Sequence, residues 1–99
     1  MIGVDGAVWS ADGAFCSLLG LEEHVLRRLG WRQLVHSADR RYVAAHLVEV
    51  LAGDGHPREF DARLLPAKGG ELPARIRVKL VRDRSGRQGC FLVEAWATT

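Results

Sequence analysis

The sequence predicts an α+β domain in which short helices cover one face of an antiparallel sheet. Three observations lead to this prediction: two strand-like runs open the chain, a helical pattern extends to Gly53, and a two-residue alternation follows Pro57. An order of two strands, helices and three further strands is typical of a sheet that is covered on one side. The length of 99 residues suits one domain, and we treat residues 1–99 as a single unit.

Composition argues against several functions. The net charge of +2 is too small to indicate a nucleic acid or an anionic membrane as a partner. No apolar run approaches the ~20 residues that a membrane-spanning helix needs. Cys16 and Cys90 form no CxxC motif, and the first residues do not resemble a secretion signal. We therefore expect reduced thiols in a cytoplasmic protein.

The first part of the chain predicts a hairpin followed by short helices. Residues 2–4 and 7–10 flank Asp5-Gly6, a pair that favours a tight hairpin turn because both central residues must accept a positive φ. The runs "AFCSLLG" and "EEHVLRRLG" then predict two short helices, each stopped by a glycine. The run "WRQLV" predicts one further helical turn.

The longest helix is predicted to begin at Ser37. Serine is a preferred N-cap residue, and Asp39 in the first turn suits the positive end of the helix dipole. Val43, Leu47 and Val50 follow at helical spacing, so they share one apolar face. This face is expected to pack against the sheet.

Three strands are predicted after the long helix. They are "REFDARLL", "LPARIRVKLVRD" and "CFLVEAWA", separated by the turns "AKGGE" and "RSGRQG". The middle strand carries a basic stripe of Arg75, Arg77 and Lys79. Glu59 and Asp61 lie on the same face of the neighbouring strand, so cross-strand charge pairs explain the stripe without an RNA ligand.

The chain contains no GxSxG, no HExxH and no glycine-rich phosphate loop. The absence of these motifs predicts a domain without enzymatic activity of its own.

Three segments together resemble the PAS domain family. They are "DGAVWSADGAFCSLLGL", "WRQLVHSADRRYV" and the closing run from "EFDARLL" to "AWATT". Asp12 stands where the family often has Asn, Leu21 where it often has Tyr, and Ser37 where it often has Pro. The resemblance implies a five-stranded antiparallel sheet in the order 2-1-5-4-3, with the first strand cut to a stub and the helices around a small cavity.

The same resemblance implies a sensory module excised from a larger signalling protein. Such a module relays the state of a ligand or partner to a covalently attached effector, which is a histidine kinase, a cyclic-di-GMP enzyme or a transcription regulator. The alternative is a ligand-free dimerisation and protein-interaction domain whose cavity is filled by its own side chains.

Nine residues are candidates to line the cavity that the resemblance implies, and most of them are bulky, which favours a filled core. They are Phe15, Leu19, Trp31, Leu34, Val43, His46, Leu47, Ile76 and Val78.

No cofactor is predicted, although a small apolar ligand and haem stay open. Some members of the family bind haem through a histidine on the long helix; the nearest position, counted from Asp39, holds Val43, so haem would need His46 instead. His36 lies in the connection before the helix, ten residues earlier, so the two histidines cannot form a metal-binding i, i+4 pair. The family's light-sensing flavin domains carry a reactive cysteine that "RRLGWRQLV" lacks, and Cys16 is expected in the core.

The last strand is apolar on both faces, so one apolar side must lie outside the sheet. In one register Phe91 and Val93 face the helices, and Cys90, Leu92 and Trp96 face outward; in the other register the faces are exchanged. An exposed apolar patch usually marks an interaction surface. We therefore expect a homodimer, with Cys90, Leu92 and Trp96 as candidate interface residues.

Overall fold

A computed structural model describes residues 1–3, 6–8, 10–53, 56–82 and 88–98. In chain order its elements are β1 Ile2–Gly3, α1 Gly13–Leu19, α2 Glu23–Leu26, α3 Trp31–Leu34, a 3-10 turn Ser37–Asp39, α4 Arg40–Ala52, β2 Arg58–Leu64, β3 Leu72–Arg82 and β4 Gln88–Ala97.

The four strands form one antiparallel sheet in the order β1-β4-β3-β2. The predicted α+β class and the antiparallel sheet are therefore confirmed. Of the second of the five predicted strands, the described residues form isolated bridges, in which Val8 pairs with Ile2 and Ala7 pairs with Gly30. A strand as short as β1 gives its neighbour little to pair with. The order is compatible with the expected 2-1-5-4-3 arrangement when the bridged segment is counted as the second strand.

Two predicted turns fall partly or wholly outside the described residues. Asp5 of the first hairpin turn lies outside the described residues, and so does most of the "RSGRQG" turn before β4.

A β-bulge at Gly89 connects that second turn to the sheet. Val81 pairs with Cys90 and Arg82 pairs with Gln88, so Gly89 is the extra residue on β4. A Cβ atom at Gly89 would lie 2.5 Å from the carbonyl oxygen of Val81. Only glycine fits this position without moving the backbone of β3.

The start and end of α1 follow from two side-chain and backbone preferences. Asp12 lies just before the helix, and its Oδ1 accepts a hydrogen bond of 2.8 Å from the backbone N–H of Phe15. Gly20 ends the helix in the left-handed region at a φ of 69°, which confirms the predicted stop.

The predicted N-cap of the long helix is wrong. His36, not Ser37, caps the 3-10 turn that precedes α4, because its Nδ1 accepts a 3.1 Å hydrogen bond from the backbone N–H of Ala38. The helix itself begins at Arg40, after Asp39, and Asp39 makes no side-chain cap bond. The Asp39 carboxylate instead accepts hydrogen bonds from Arg63 of β2.

The core lies between the helices and the inner face of the sheet. Its largest fully buried side chains are Leu19 of α1, Leu26 of α2 and Val78 of β3, and each is less than 2% exposed. The alternation predicted for β3 is confirmed, since Ile76 and Val78 are buried while Arg77 between them is exposed.

Candidate functional site

A cavity of about 40 Å³ lies between the helices and the inner face of the sheet. The described residues that line it are all apolar: Ile2, Phe15, Trp31, Leu34, Val35, Val43, Leu47, Phe60, Leu64, Ile76, Val78, Val93 and Ala95. A space without polar partners stays dry. The cavity is therefore a small packing gap in an apolar core.

Seven of the nine candidate cavity residues meet around this space. They are Phe15, Trp31, Leu34, Val43, Leu47, Ile76 and Val78.

Leu19 and His46 do not line the cavity. Leu19 is 1% exposed and packs in the core, where its backbone carbonyl accepts a 2.8 Å hydrogen bond from Ala67. His46 lies on α4 against the ring of Phe60, as described below.

Several lining residues were not predicted from the sequence. Phe60 and Leu64 share the inward face of β2, so the alternation of that strand could have identified them. Val93 and Ala95 could not be assigned, because β4 is apolar on both faces. Ile2 and Val35 lie in segments too short to show a period.

A second depression, of about 130 Å³, lies beside the cavity near the start of the chain. Ile2, Phe15 and Val93 border both spaces, and Ser10 and Asp12 supply polar groups to the second. Asp12 is already engaged as the cap of α1. Both spaces are smaller than the ~300 Å³ at which sites for drug-sized ligands begin.

His46 packs against the outer side of the cavity wall. Its ring stacks on Phe60, with centroids 4.4 Å apart and an angle of 7° between the planes, and Tyr42 contacts it edge-on at 4.6 Å. Its Nδ1 is buried without a hydrogen-bond partner in the described part of the chain. Burial, and secondly the charge of Arg58, lower the pKa of His46 below its ordinary value of 6.5. Burial therefore favours the neutral imidazole, and Phe60 rather than His46 lines the cavity.

Asp39 and Arg63 form a charged link between α4 and the sheet. The backbone N–H and Nε of Arg63 each donate to Oδ2 of Asp39 at 2.9 Å, and Nη2 donates to Oδ1 at 2.8 Å. These hydrogen bonds lower the pKa of Asp39 to about 2 and raise the pKa of Arg63. The sequence did not predict this link, because the two residues lie far apart in the chain and Arg63 has the pattern of a solvated strand residue.

His36 and Glu71 extend this link to the turn between β2 and β3. Nε2 of His36 lies 2.9 Å from Oε1 of Glu71, and Nη1 of Arg63 lies 3.5 Å from Oε2. The backbone N–H of His36 also donates to the carbonyl of Arg63 at 2.9 Å. His36 was expected in an exposed connection; it is instead three-quarters buried and bonded at both ring nitrogens.

The structure decides which face of β4 lies outside. Phe91 is buried, so Leu92, Glu94 and Trp96 face outward, and Leu92 and Trp96 are 39% and 44% exposed. Cys90 shares their direction but is only 5% exposed, so its prediction as an interface residue is corrected. Cys90 is paired with β1 on one side and with β3 on the other, whereas Leu92 is paired with β3 alone.

The basic stripe of β3 lies on this same outer face. Arg75 donates to Asp61 at 3.3 Å and to Glu59 at 3.4 Å, which confirms the predicted cross-strand pairing at this position and raises the pKa of Arg75. Arg77 and Lys79 are exposed, and neither has an ion-pair partner among the described residues. The outer face therefore combines apolar side chains with unpaired cations.

The described residues contain neither a metal-binding cluster nor a membrane-spanning helix. No three His, Cys, Asp or Glu side chains among them come together in a way that could hold a metal ion. No helix that they form is long and apolar enough to cross a membrane.

These observations first define a class: an α+β domain whose antiparallel sheet is covered on one face by short helices around a small apolar cavity. A family model of the PAS fold matches residues 8–93. Because this match spans most of the sequence, the chain belongs to the PAS fold family, and the recognition from sequence motifs is confirmed.

Solved structures agree with this assignment. A PAS domain from Colwellia psychrerythraea has a TM-score of 0.88 at 11% identity, covering 97% of this chain and 80% of its own. The N-terminal domain of a diguanylate cyclase with a PAS/PAC sensor from Marinobacter aquaeolei has a TM-score of 0.75 at 24% identity, covering 97% and 89%. A domain of a sensory box sensor histidine kinase/response regulator from Geobacter sulfurreducens has a TM-score of 0.75 at 21% identity, covering 95% and 76%.

At these identities the likenesses show the fold alone. A comparison with curated proteins finds no match.

Proposed function

We propose that this PAS domain is a regulatory module without catalysis of its own, which relays the state of a partner to an attached effector. The observation that carries the proposal is the small size of the core cavity, about 40 Å³, beside an apolar outer face of the sheet. Sites for small molecules commonly measure ~300–1,000 Å³. A filled core therefore favours regulation by contacts with other protein surfaces over regulation by a bound small molecule.

The effector in this proposal is a histidine kinase or a cyclic-di-GMP enzyme. Two similar structures support this choice, since one is described as part of a sensor histidine kinase/response regulator and the other as part of a diguanylate cyclase. We place the module in the cytoplasm, where Cys16 and Cys90 would stay as free thiols.

The proposal includes no resident cofactor. Haem would need a histidine nitrogen that points into a large dry pocket. His46 instead stacks on Phe60, and the small cavity is lined by apolar side chains. The second candidate function, sensing of a small apolar ligand, is favoured only by the apolar lining of that cavity.

The partner in the proposal is a second copy of the domain, which contacts the outer face of the sheet. Leu92 and Trp96 are large, apolar and exposed on this face. Exposed apolar patches on otherwise polar surfaces commonly mark protein contacts. Self-association here would cover these side chains and connect two effectors.

Native mass spectrometry and absorbance of the purified protein test the absence of a ligand. We expect the mass of the polypeptide alone and no absorbance from haem or flavin. A stoichiometric bound molecule would contradict the relay proposal and support a ligand sensor.

Sedimentation equilibrium tests the self-association. We expect concentration-dependent dimers of the wild type, and at least tenfold weaker association of Trp96→Glu. Val48→Glu is the matched control, because Val48 is 64% exposed on α4, away from the outer face of the sheet. A wild-type monomer at high micromolar concentration, or equal effects of the two substitutions, would contradict the proposed interface.

A further inference from the structure

We propose that two copies pack sheet against sheet around a two-fold axis that runs parallel to the strands, between β3 and β4. The outer surface of β4 in each copy then lies over β3 of the partner. This inference rests on the self-association proposed above and names its geometry. Two sets of residues carry it: the acidic-apolar row of Leu92, Glu94 and Trp96, and the basic row of Arg75, Arg77 and Lys79.

The register of the sheet places these two rows side by side at matching heights. Leu92 is paired with Lys79, Glu94 with Arg77, and Trp96 with Arg75. Each of these residues has the outward direction, since the alternate residues of both strands, such as Val78 and Val93, face the cavity. On the outer face, the apolar and acidic row of β4 thus lies next to the basic row of β3.

A rotation about an axis parallel to the strands keeps each residue at its height along the sheet. When the axis lies between β3 and β4, the rotation exchanges the two rows. Glu94 of each copy then lies opposite the partner's Arg77, and Trp96 lies opposite the partner's Arg75. Packed sheets keep their strands nearly aligned, about 10 Å apart, a distance that two facing side chains can span.

Other two-fold arrangements that cover Leu92 and Trp96 place like charges together. An axis directly over β3 stacks Arg77 on the partner's Arg77, and an axis directly over β4 stacks Glu94 on the partner's Glu94. An axis across the strands stacks the basic row on itself. An axis between β2 and β3 would also set Arg77 opposite the partner's Glu59, but it would leave Leu92 and Trp96 uncovered. Among the arrangements that cover these two side chains, only the exchange of rows sets opposite charges face to face, so charge complementarity selects it.

The charges involved are free to act between copies. Arg77 and Glu94 are neighbours in the register, yet no ion pair joins them within the described chain, and both are exposed. Arg75, in contrast, is already held by Asp61 and Glu59, and its guanidinium would add a cation–π contact to the partner's Trp96. The aliphatic stem of Lys79 would cover the partner's Leu92.

Charge reversal tests this geometry by sedimentation equilibrium at low salt. Glu94→Arg alone sets an arginine opposite the partner's Arg77, and Arg77→Glu alone sets a glutamate opposite the partner's Glu94. We expect each variant to dimerise at least tenfold more weakly than the wild type. An equimolar mixture of the two variants forms a heterodimer in which both intermolecular pairs are again of opposite charge, and we expect it to regain association to within about threefold of the wild type.

The mixture separates contacts between copies from effects within one chain. An effect of a substitution on its own chain is the same in the mixture and in the separate variant. Mixing can therefore restore dimerisation only through a contact between the two copies. Circular dichroism and urea unfolding of each variant confirm the fold before the comparison. Lys68→Glu, an exposed charge reversal in the turn between β2 and β3, is the control and should dimerise as the wild type does.

The possible failures are distinguishable. If Trp96→Glu dissociates the wild-type dimer but the mixture stays monomeric, self-association through this face holds and the exchanged arrangement of rows is wrong. If the single charge variants dimerise as the wild type does, the arrangement is also wrong. If the wild type is monomeric, the proposed self-association fails and the arrangement fails with it.

Discussion

Asp39 and Arg63 lie 24 residues apart in the sequence and are joined by three hydrogen bonds, two from the arginine side chain and one from its backbone N–H. This contact ties the start of α4 to the edge strand β2. His36 and Glu71 join the same cluster at 2.9 Å. The edge of the sheet at Arg63 is thereby occupied, which protects it from pairing with another strand.

Replacing Asp39 by Asn should destabilise the domain by about 1–2 kcal/mol at pH 7. The Asn side chain keeps the shape but loses the charge that Arg63 binds, and partial exposure of both side chains limits the effect. Urea unfolding of both proteins measures the difference. Lys68→Gln is the control, since Lys68 is exposed in the turn between β2 and β3 and has no ion pair within the described chain.

The same pair predicts a dependence of stability on pH. The pKa of Asp39 is about 2 in the folded protein and near 3.8 when unfolded, so the unfolded state binds the proton more readily. The contribution of Asp39 is complete well above pH 3.8 and is lost as the pH falls toward 2. The stability difference between wild type and Asp39→Asn should therefore shrink from pH 7 to pH 3. A difference that stays constant over this range would show that the charge of Asp39 is not responsible.

His36→Ala should destabilise the domain more than Ser37→Ala. The imidazole of His36 caps the 3-10 turn and contacts Glu71, and loss of a cap costs ~1 kcal/mol. Ser37 is exposed within the turn, and exposed substitutions away from caps usually change stability by less than ~0.5 kcal/mol. The urea midpoints of the two variants decide the matter. A larger loss of stability in Ser37→Ala than in His36→Ala would show that Ser37, not His36, is the capping residue.

His46 should titrate below its ordinary pKa of 6.5 in the folded protein. Because burial favours the neutral form, protonation favours unfolding, and stability should fall modestly as the pH drops below about 6.5. His46→Phe keeps an aromatic ring against Phe60 but removes the titration. We expect this variant to show a smaller loss of stability between pH 7 and pH 5 than the wild type. An NMR titration of the imidazole protons checks the direction of the pKa shift independently.

Gly89→Ala should destabilise the sheet by ~1–3 kcal/mol, the range for forced overpacking. The added methyl group would meet the Val81 carbonyl, and the bulge would have to shift. Gly13→Ala is the matched control, because no atom lies within 4 Å of a Cβ built there and Gly13 is the first residue of α1. Alanine at that helical position should be neutral or stabilising. Equal midpoints for the two variants would contradict the close contact at the bulge.

Local patterns in the sequence were sufficient for most of the secondary structure. The stop of α1 at Gly20 and the alternation of β3 were predicted correctly because each depends on neighbouring residues alone. A backbone that must adopt a positive φ selects glycine, and a strand with one covered face selects a period of two. The PAS family was recognisable for the same reason, since its motifs are local.

The direction of β4 could not be predicted from its own residues, because either face of that strand can be buried. Pairing with β3 decides it: Val78 faces the cavity, so its register partner Val93 does as well. Leu92 and Trp96 then face solvent.

The sequence by itself determined the class, the order of the elements and most of the apolar residues that meet around the cavity. Only the tertiary structure decided the size of that cavity, the position of His46 behind Phe60 and the cap at His36. The division has a physical reason. Short-range preferences of dihedral angle and burial act between residues a few positions apart, whereas cavity size and charge pairs such as Asp39–Arg63 depend on side chains that meet only after the sheet has closed against the helices.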